Sequence, residues 1–312
     1  MTCKYKIYNK LCLDDICENL LFNLNNVWQE QKVTNSASGA KFYKLKINNE
    51  VYFAKVFSWV HNENPFILKR NKQYISFTDE INGLRYLSDY INNKNNTLSQ
   101  LTKVYIPKFF VSDPPCMVDN ICYGIIISEL ADGVLSNIVS LVHKKKLNGD
   151  MTQEDIDEML FDITLSTVEY IEFFNKYIKI CHGDTHLGNI FFKDTWDIHN
   201  YMTIYLSDFD NAYVSKEEGA DCAGLLYRFD DLGNFLYIWL QTLRNENEDL
   251  QHAINDSIDV LDDIFQYEDK QVFNKIKEII KNKKQEYKDS LVSNMKRKYS
   301  ENDTRYSKKK KE

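Results

Sequence analysis

Glycine and proline are scarce in this sequence, and long apolar runs are lacking. Of 312 residues, 10 are glycine and 4 are proline, which excludes collagen-like and Pro/Gly-rich disordered chains. No apolar stretch reaches the ~18 residues that a helix needs to cross a bilayer. No apolar stretch follows residues 1–6 either, so we expect no cleaved secretion signal. The remaining composition, 43% hydrophobic and 27% charged, is typical of a globular protein.

Charge is distributed unevenly along the chain. The formal net charge is −7, yet residues 296–312 hold eight basic and three acidic side chains, so the rest of the chain is strongly acidic. Because phosphate contacts need clustered Lys and Arg, an acidic body argues against general nucleic-acid binding. The run Lys308–Lys311 fits a solvated, disordered end, a nuclear-localisation signal or a nucleic-acid arm, and the sequence leaves these alternatives open.

Cysteine usage gives no sign of a disulfide framework or a zinc site. The seven cysteines are odd in number and form no C-x-x-C pair. We therefore expect reduced thiols in a cytosol-like compartment. Cys181 lies beside the motif described below, where we expect a small buried residue rather than a nucleophile.

Strand-like patterns dominate the first ~130 residues. Residues 41–47 and 51–57 are rich in strand formers and flank an Asn-Asn-Glu turn, which predicts a hairpin. Apolar residues at helical spacing predict a helix over 71–92. The other strands are expected over residues 27–34, 104–112 and 121–130.

Helix-like patterns dominate the rest of the chain. Thr152, with Asp155 three residues on, is a good N-cap for a helix that runs to about Tyr177. Short strands are expected over 190–192 and 203–207, and helices over 229–243, 250–265 and 270–287. A β-rich part and an α-rich part, joined near residues 129–133, predict two lobes with a ligand-binding cleft between them.

The strongest local signal is the run CHGDTHLGNIFF, residues 181–192. An Asp, four residues, an Asn and then an apolar strand match the catalytic-loop spacing of phosphotransferases. Phosphoryl transfer needs an oxygen that orients the incoming hydroxyl and takes its proton, which is the predicted role of Asp184. It also needs a neutral oxygen ligand for Mg²⁺, and the amide of Asn189 suits this.

A second acidic motif follows nineteen residues after Asn189, in the run Leu206–Asp210. Asp208 leaves a short apolar strand, where a carboxylate is placed to hold a metal that bridges the triphosphate. Asp208 is therefore a predicted metal ligand. Asp210 stands where this motif usually has glycine.

A lysine and a glutamate upstream are predicted to pair. Lys55 lies mid-strand among apolar residues, and Glu80, 25 residues on, falls on the apolar face of the predicted helix. A buried charge needs a partner, so a Lys55–Glu80 pair explains both positions. Glu63, in a loop-like segment, is the rival partner. The segment 34–41, TNSASGAK, would cover the phosphates with a single glycine, Gly39, and so departs from Gly-x-Gly-x-x-Gly.

Lys55, Glu80, the His182–Asn189 loop and Asp208, in this order and spacing, resemble the protein-kinase superfamily over about two-thirds of the chain. The loop, with a His two residues after the Asp, is similar to haspin-type protein kinases and to aminoglycoside and choline phosphotransferases. The Asn-, Lys- and Ile-rich composition is similar to that of divergent Ser/Thr kinases of large DNA viruses.

The resemblance implies an α+β, two-lobed protein-kinase-like fold. An N-lobe with an antiparallel sheet plus one helix would span residues 1–130, a mostly helical C-lobe 131–290, and a disordered basic tail 291–312. ATP would be the phosphoryl donor and Mg²⁺ its metal. Lys55 and Gly39 would contact phosphates, and Glu80 would position Lys55.

The resemblance also implies roles for residues around the cleft. The backbone of Glu129 and Leu130 would bond to adenine. His182 would pack under the catalytic loop, and Asp230, near the start of the central helix, would bond to the loop backbone. His186 would either touch substrate or phosphate, or bond to a nearby backbone group.

The predicted activity is that of a Ser/Thr protein kinase, with a protein hydroxyl as acceptor. A small-molecule kinase remains the alternative, because the Lys usual two residues after the catalytic Asp is His186 here. A pseudokinase scaffold is the third hypothesis, motivated by the glycine-poor loop. The segment after Asp208 is short, so we expect no regulation by loop phosphorylation. The expected location is the cytoplasm, or the host cytoplasm or virion for a viral chain, or the nucleus through the basic tail.

Overall fold

The architecture was established from a computed structural model that describes residues 28–31, 39–47, 50–93, 109–112, 115–193, 203–209, 212–214, 224–244, 246–264 and 271–309. The strands are β1 (Trp28–Gln31), β2 (Lys41–Ile47), β3 (Glu50–Val60), β4 (Phe109–Val111), β5 (Cys116–Val118), β6 (Ile121–Glu129), β7 (Gly133–Val134), β8 (Ile180–Cys181), β9 (Ile190–Lys193), β10 (Thr203–Leu206) and β11 (Tyr213–Val214). The α-helices are α1 (Pro65–Leu68), α2 (Lys72–Asn93), α3 (Ile138–Leu147), α4 (Gln153–Glu172), α5 (Gly224–Thr242), α6 (Glu248–Ile264) and α7 (Val272–Lys309).

A six-stranded antiparallel sheet forms the first part of the fold. Its strands follow the order β1-β2-β3-β6-β4, and β5 also pairs with β6. The predicted hairpin is β2–β3, in which Phe42 lies opposite Lys55. On the other side of β3, Lys55 lies opposite Ile126 of β6. Lys55 therefore stands in the middle of the sheet, flanked by paired strands on both sides.

Helix α2 packs its apolar stripe on this sheet. Phe77, Ile81, Leu84 and Leu87 are buried at helical spacing, and the Phe77 ring centroid lies 5.5 Å from that of Phe57 on β3. Glu80 is buried on the same face. Burying the apolar stripe thus carries a carboxylate towards the strand that bears Lys55.

The second part is mostly helical. Its central helix α4 begins at the predicted capping box, because Thr152 and Asp155 accept hydrogen bonds from each other's backbone N–H groups. Helix α5 packs on α4, and the indole N–H of Trp239 donates to the hydroxyl of Thr164 at 2.7 Å. Two small sheets, β10-β9-β7 and β11-β8, belong to this part of the chain.

The last helix, α7, lies along α4 in the opposite direction. Lys277 contacts Glu172 near the end of α4 at 2.6 Å, and Lys284 contacts Asp162 at 2.5 Å. On the same helix, the apolar side chains of Ile276 and Ile280 are fully or almost fully buried. Backbone of α7 is helical through residues 291–309, the region for which the sequence predicts a basic tail.

The structure confirms the predicted fold class. It is α+β, with an antiparallel sheet and one long helix in the first part and a mostly helical remainder, as the resemblance implies. The residue limits of the two lobes and of the tail stay predictions.

Two smaller findings concern the cysteines and membranes. Cys122 and Cys181 are free and buried, as expected for Cys181, whereas Cys116 is disulfide-bonded and so departs from the predicted reduced state. Among the described helices, none has both the length and the apolarity that crossing a bilayer requires.

Candidate active site

Lys55 contacts two carboxylates, that of its predicted partner Glu80 and that of Asp208. Its ammonium donates to the carboxylate of Glu80 at 2.8 Å, and both side chains are more than nine-tenths buried. It also donates to Oδ1 of Asp208, from the second part of the chain. Glu63 is exposed before α1. The predicted pair Lys55–Glu80 is therefore present, and Asp208 joins it.

The charge state of Lys55 follows from these contacts. Burial by itself lowers the pKa of a lysine, but the negative charges of Glu80 and Asp208 and their hydrogen bonds outweigh it. The net result is a pKa well above the usual range, so Lys55 is a permanent cation. The ammonium also lies 5.1 Å from the ring centroid of Phe57.

Asp208 stands at a sharp turn after β10. It is a non-glycine residue with a φ of +67°, a left-handed conformation that L-residues rarely adopt. The next residue, Phe209, is buried against Phe174 and His182, with ring centroids 5.7 and 5.1 Å apart. Packing of Phe209 thus fixes the turn that presents the Asp208 carboxylate. Asp210 lies outside the described residues.

The predicted catalytic loop, His182–Asn189, lies between β8 and β9, and Asn189 closes it. The amide nitrogen of Asn189 donates to the backbone carbonyl of Asp184 at 3.0 Å and lies 3.4 Å from its Oδ2. The backbone carbonyl of Asn189 accepts from the N–H of Ser207 at 3.0 Å, extending the β9–β10 pairing by one step. Asn189 therefore links the Asp184 side of the site to the residue before Asp208.

The contacts described above leave some oxygen atoms available as ligands for Mg²⁺. Since the amide nitrogen of Asn189 is used by Asp184, the amide oxygen is its remaining polar atom. A carboxylate at Asp208 and an amide oxygen at Asn189 are the hard oxygen donors that Mg²⁺ prefers, with phosphate and water completing its shell. In the described part of the chain, no three His, Cys, Asp or Glu side chains cluster as a complete metal site. Two protein donors leave most of the Mg²⁺ coordination shell to other ligands.

Asp231 supports the loop from beneath. Its fully buried carboxylate accepts from the backbone N–H of His182 at 2.7 Å and of Gly183 at 2.9 Å. Its backbone carbonyl accepts from the Thr185 hydroxyl at 2.6 Å. The sequence assigns this role to Asp230, whose side chain lies outside the described part of the structure, so that assignment stays a prediction. Among the described side chains, Asp231, the next residue of α5, makes these bonds.

His182 packs under the loop, as predicted. The side chain is fully buried, and Nε2 lies 2.8 Å from the backbone carbonyl of Ser207. A carbonyl only accepts, so Nε2 carries the proton. The ring therefore braces the strand end that leads into Asp208.

His186 bonds to a backbone group, which was one of its two predicted roles. The N–H of Gly188 donates to Nδ1 of His186 at 2.9 Å. The other ring nitrogen, Nε2, faces Oδ2 of Asp184 at 3.7 Å. Contact of His186 with a substrate or phosphate stays a prediction.

The remaining predicted nucleotide contacts are Glu129, Leu130 and Gly39. Glu129 ends β6, and its carboxylate contacts Lys193 of β9 at 2.5 Å, which joins the sheet to the helical part. Leu130 follows directly and is half-buried. Gly39 is exposed, with a φ of +74°, just before β2. Adenine contacts at residues 129–130 and phosphate contacts at Gly39 stay predictions.

Sequence reasoning missed some of the supporting residues. Asn175, in a π-helical turn over Phe173–Ile178, donates to Asp231 and to the backbone carbonyl of Ile180, both at 3.0 Å. No short motif marks such a residue. The sequence does contain a signal for Lys193. This lysine ends an apolar strand next to the predicted cleft, a position where its charge needs a carboxylate partner.

Comparisons with known proteins leave the activity open. No family model and no curated protein sequence matches this chain. Solved structures that match include WaaP in complex with acyl carrier protein, with a TM-score of 0.44 and 13% identity over 82% of this chain and 89% of that chain. A likeness at this level carries no argument about activity, so the chemistry has to follow from the geometry of the site.

Proposed function

We propose that this chain is an ATP-dependent phosphotransferase that moves the γ-phosphoryl group of Mg-ATP to a hydroxyl. The observation that carries the proposal is the convergence on Lys55. A buried lysine from the sheet contacts Glu80 of α2 and Asp208 of the helical part at the same time. Burying the Lys55 cation and the Glu80 carboxylate where the two parts meet is costly, because each charge is desolvated. The Asp208 side chain is 36% exposed, so it stays accessible to a ligand beside this pair.

The proposed roles follow from the polar atoms that remain available. Lys55 neutralises phosphate charge, and Glu80 holds Lys55 in place. Asp208 and Asn189 would hold Mg²⁺, which neutralises the triphosphate when bound. Asp184 orients the acceptor hydroxyl and takes its proton.

The reaction balances at Asp184. The acceptor oxygen forms a bond to the γ-phosphorus, the bond to the bridging β–γ oxygen breaks, and ADP leaves with that electron pair. The hydroxyl proton moves to the Asp184 carboxylate. Since little covalent chemistry falls to the protein, positioning and charge neutralisation supply most of the rate enhancement.

A Ser or Thr hydroxyl of a protein is the first acceptor class that we propose. A small-molecule hydroxyl is the second, and one observation favours it. The position two residues after Asp184 holds His186 where Ser/Thr protein kinases usually have a lysine. The His186 ring contacts its own loop, so this position offers no lysine ammonium to an acceptor.

The test measures phosphoryl transfer from labelled Mg-ATP by the full chain. Acceptors would include dephosphorylated casein, a histone mixture, and a panel of small alcohols, sugars and amines, with products identified by mass spectrometry. We expect Asp184→Asn to lower turnover by roughly 100-fold or more while ATP affinity changes little. Asp150→Asn, an exposed carboxylate between α3 and α4, is the matched control and should keep full activity.

Each outcome decides between the hypotheses. Labelled protein supports the Ser/Thr reading, and labelled small molecules support the alternative. Tight Mg-ATP binding without turnover, in the wild type and in Asp184→Asn alike, would leave a scaffold and overturn the proposed activity.

A further inference from the structure

The imidazole of His186 is fixed in one orientation by its own loop. The backbone N–H of Gly188 donates to Nδ1 at 2.9 Å. A backbone N–H can only donate, so Nδ1 offers its lone pair, and in the neutral ring the proton lies on Nε2. The ring therefore presents an N–H donor on its other side.

That donor faces the predicted catalytic base. Nε2 of His186 lies 3.7 Å from Oδ2 of Asp184, and the amide nitrogen of Asn189 lies 3.4 Å from the same oxygen. Two nitrogen donors of the same loop thus approach Oδ2. Contacts of this kind are often long before substrate binds and shorten in the reactive complex.

Gly188 is what allows the ring to lie there. A Cβ at position 188 would lie 2.7 Å from Cε1 and 2.9 Å from Nδ1 of His186, closer than real Cβ contacts come. Among the glycines described, a positive φ is found at Gly39, Gly149 and Gly183 but not at Gly188. The backbone at 188 would therefore accept alanine, and the obstacle to a side chain is the imidazole.

We propose that His186 is a positioning residue for Asp184. It donates through Nε2–H to Oδ2, and together with Asn189 it reserves Oδ1 for the proton of the acceptor hydroxyl. Because its Nδ1 lone pair is used by Gly188, His186 acts as a donor and not as a second base. This inference rests on the proposed function, since it assigns the two carboxylate oxygens of that site.

The test uses Mg-ATP as the only substrate, with water as the acceptor, so no unknown acceptor is needed. Steady-state ATP hydrolysis gives kcat and KM for wild type, Asp184→Asn and three variants at position 186. His186→Ala should lower kcat by about 10- to 100-fold, with KM for ATP within about twofold, because the loss concerns alignment and not nucleotide binding. His186→Gln, whose amide N–H reaches the place of Nε2, should recover most of the loss. His186→Asn, whose amide is too short, should resemble alanine.

Gly188→Ala provides an independent route to the same displacement. The added methyl group should push the ring aside and lower kcat to a similar extent as His186→Ala. In the double variant His186→Ala/Gly188→Ala the two losses should not add, because the methyl group then meets no ring. Urea unfolding of each variant checks that the fold is retained.

The inference and the proposed function fail in different ways. If wild type hydrolyses ATP and Asp184→Asn does not, but His186→Ala keeps the wild-type kcat, the role of His186 is wrong and the proposed function stands. Equal losses in His186→Gln and His186→Ala, or fully additive losses with Gly188→Ala, overturn the donor role as well. If wild type and Asp184→Asn are equally inactive, both proposals fall together.

Discussion

Asp231 on α5 accepts a hydrogen bond from the backbone N–H of His182 at 2.7 Å, so a helix from late in the chain holds the start of the catalytic loop. The same carboxylate accepts from Gly183, and both acceptor oxygens are used. Replacement by asparagine exchanges one acceptor for an N–H donor that would face another N–H.

We expect Asp231→Asn to lower the free energy of unfolding by about 3 kcal/mol, because a buried acceptor of several N–H groups is lost. Phosphoryl transfer should fall with it. Asp230→Asn is the matched control, one residue earlier on the same helix, and should change stability much less. Urea denaturation of the two variants compares them directly, and a larger loss at residue 230 would restore the assignment made from sequence.

Removal of the Lys55 ammonium should lower the free energy of unfolding, because the buried carboxylate beside it loses its cation. Lys55→Met leaves the Glu80 carboxylate buried without its cation, so we expect a loss of about 3–5 kcal/mol in unfolding free energy and loss of activity. Lys55→Met/Glu80→Gln should regain at least about 1 kcal/mol while staying inactive. A double variant less stable than Lys55→Met alone would show that Glu80 is held by other contacts.

The same pair sets a pH dependence. The folded pKa of Lys55 lies above its ordinary value of 10.5, so its stabilising contribution is complete below that pH and is lost only as the pH rises through the higher folded value. The stability difference between wild type and Lys55→Met/Glu80→Gln, which lacks the buried carboxylate, should therefore stay constant from about pH 6 to about pH 9. Urea titrations across this range measure it, and a steady decline within the range would contradict the charged assignment.

Gly83 lets α2 approach the segment after Asp208. A Cβ there would lie 3.1 Å from Cβ of Phe209 and 3.4 Å from its carbonyl oxygen. Gly83→Ala should shift α2, which carries Glu80, and lower kcat/KM for ATP by roughly 3- to 10-fold, about 1 kcal/mol. The usual gain of alanine over glycine within a helix should offset the lost stability.

Gly233→Ala on α5 is the control for this substitution. It is also a helical glycine, but a Cβ there would meet nothing within 4 Å. It should gain about 0.5–1 kcal/mol in stability and leave kcat/KM unchanged. If both variants behave alike in the ATP assay, the approach of α2 to Phe209 has no effect on the site.

The capping box of α4 offers a test away from the site. Thr152→Ala should cost about 1 kcal/mol, because the N-cap hydrogen bond to Asp155 N–H is lost. Two hydrogen bonds from Thr152 lower the pKa of Asp155 below its usual 3.8. The bond from the Thr152 backbone N–H has the larger effect, and the bond from its hydroxyl the smaller one. A lowered pKa adds stability above the usual value and loses it as the pH falls through the folded value.

The stability gap between wild type and Asp155→Ala should accordingly shrink as the pH drops below about 3.8. Glu154→Ala, an exposed neighbour in the same first turn, should show a smaller gap at neutral pH. Urea unfolding at neutral and acidic pH provides the comparison, and a gap that persists unchanged in acid would contradict the carboxylate's part in the cap.

Periodicity and spacing predict seven of the eleven described strands, the helix α2 and the meeting of Lys55 with Glu80, but not β5, β7, β8 or β11. The Lys55–Glu80 pair is predictable because a charge on a buried strand and a charge on an apolar helix face each need a partner of opposite sign. Few residues in this part of the sequence could be that partner. The hairpin β2–β3 succeeds for a similar reason, since alternation and a turn signal coincide.

The choice between Asp230 and Asp231 lies beyond such reasoning. It depends on the rotational phase of α5, and α5 begins at Gly224, five residues before the predicted start at residue 229. Neighbouring helix positions differ by about 100° in direction, so a small change in phase decides which of the two carboxylates is expected to face the loop. The π-helical turn at 173–178 could not be predicted either, because wider i→i+5 bonding has no clear residue preference.

The antiparallel course of α7 along α4 joins α7 to the end of the helix that leads towards the predicted catalytic loop. Lys277 forms an ion pair with Glu172, the final residue of α4. After Glu172 the chain passes through a single π-helical turn and β8 before it reaches His182. Asn175 within that turn bonds to Asp231. Helix α7 thus supports the predicted catalytic loop through the end of α4. We expect that C-terminal truncation into α7 would destabilise the centre of the molecule more than its outer parts.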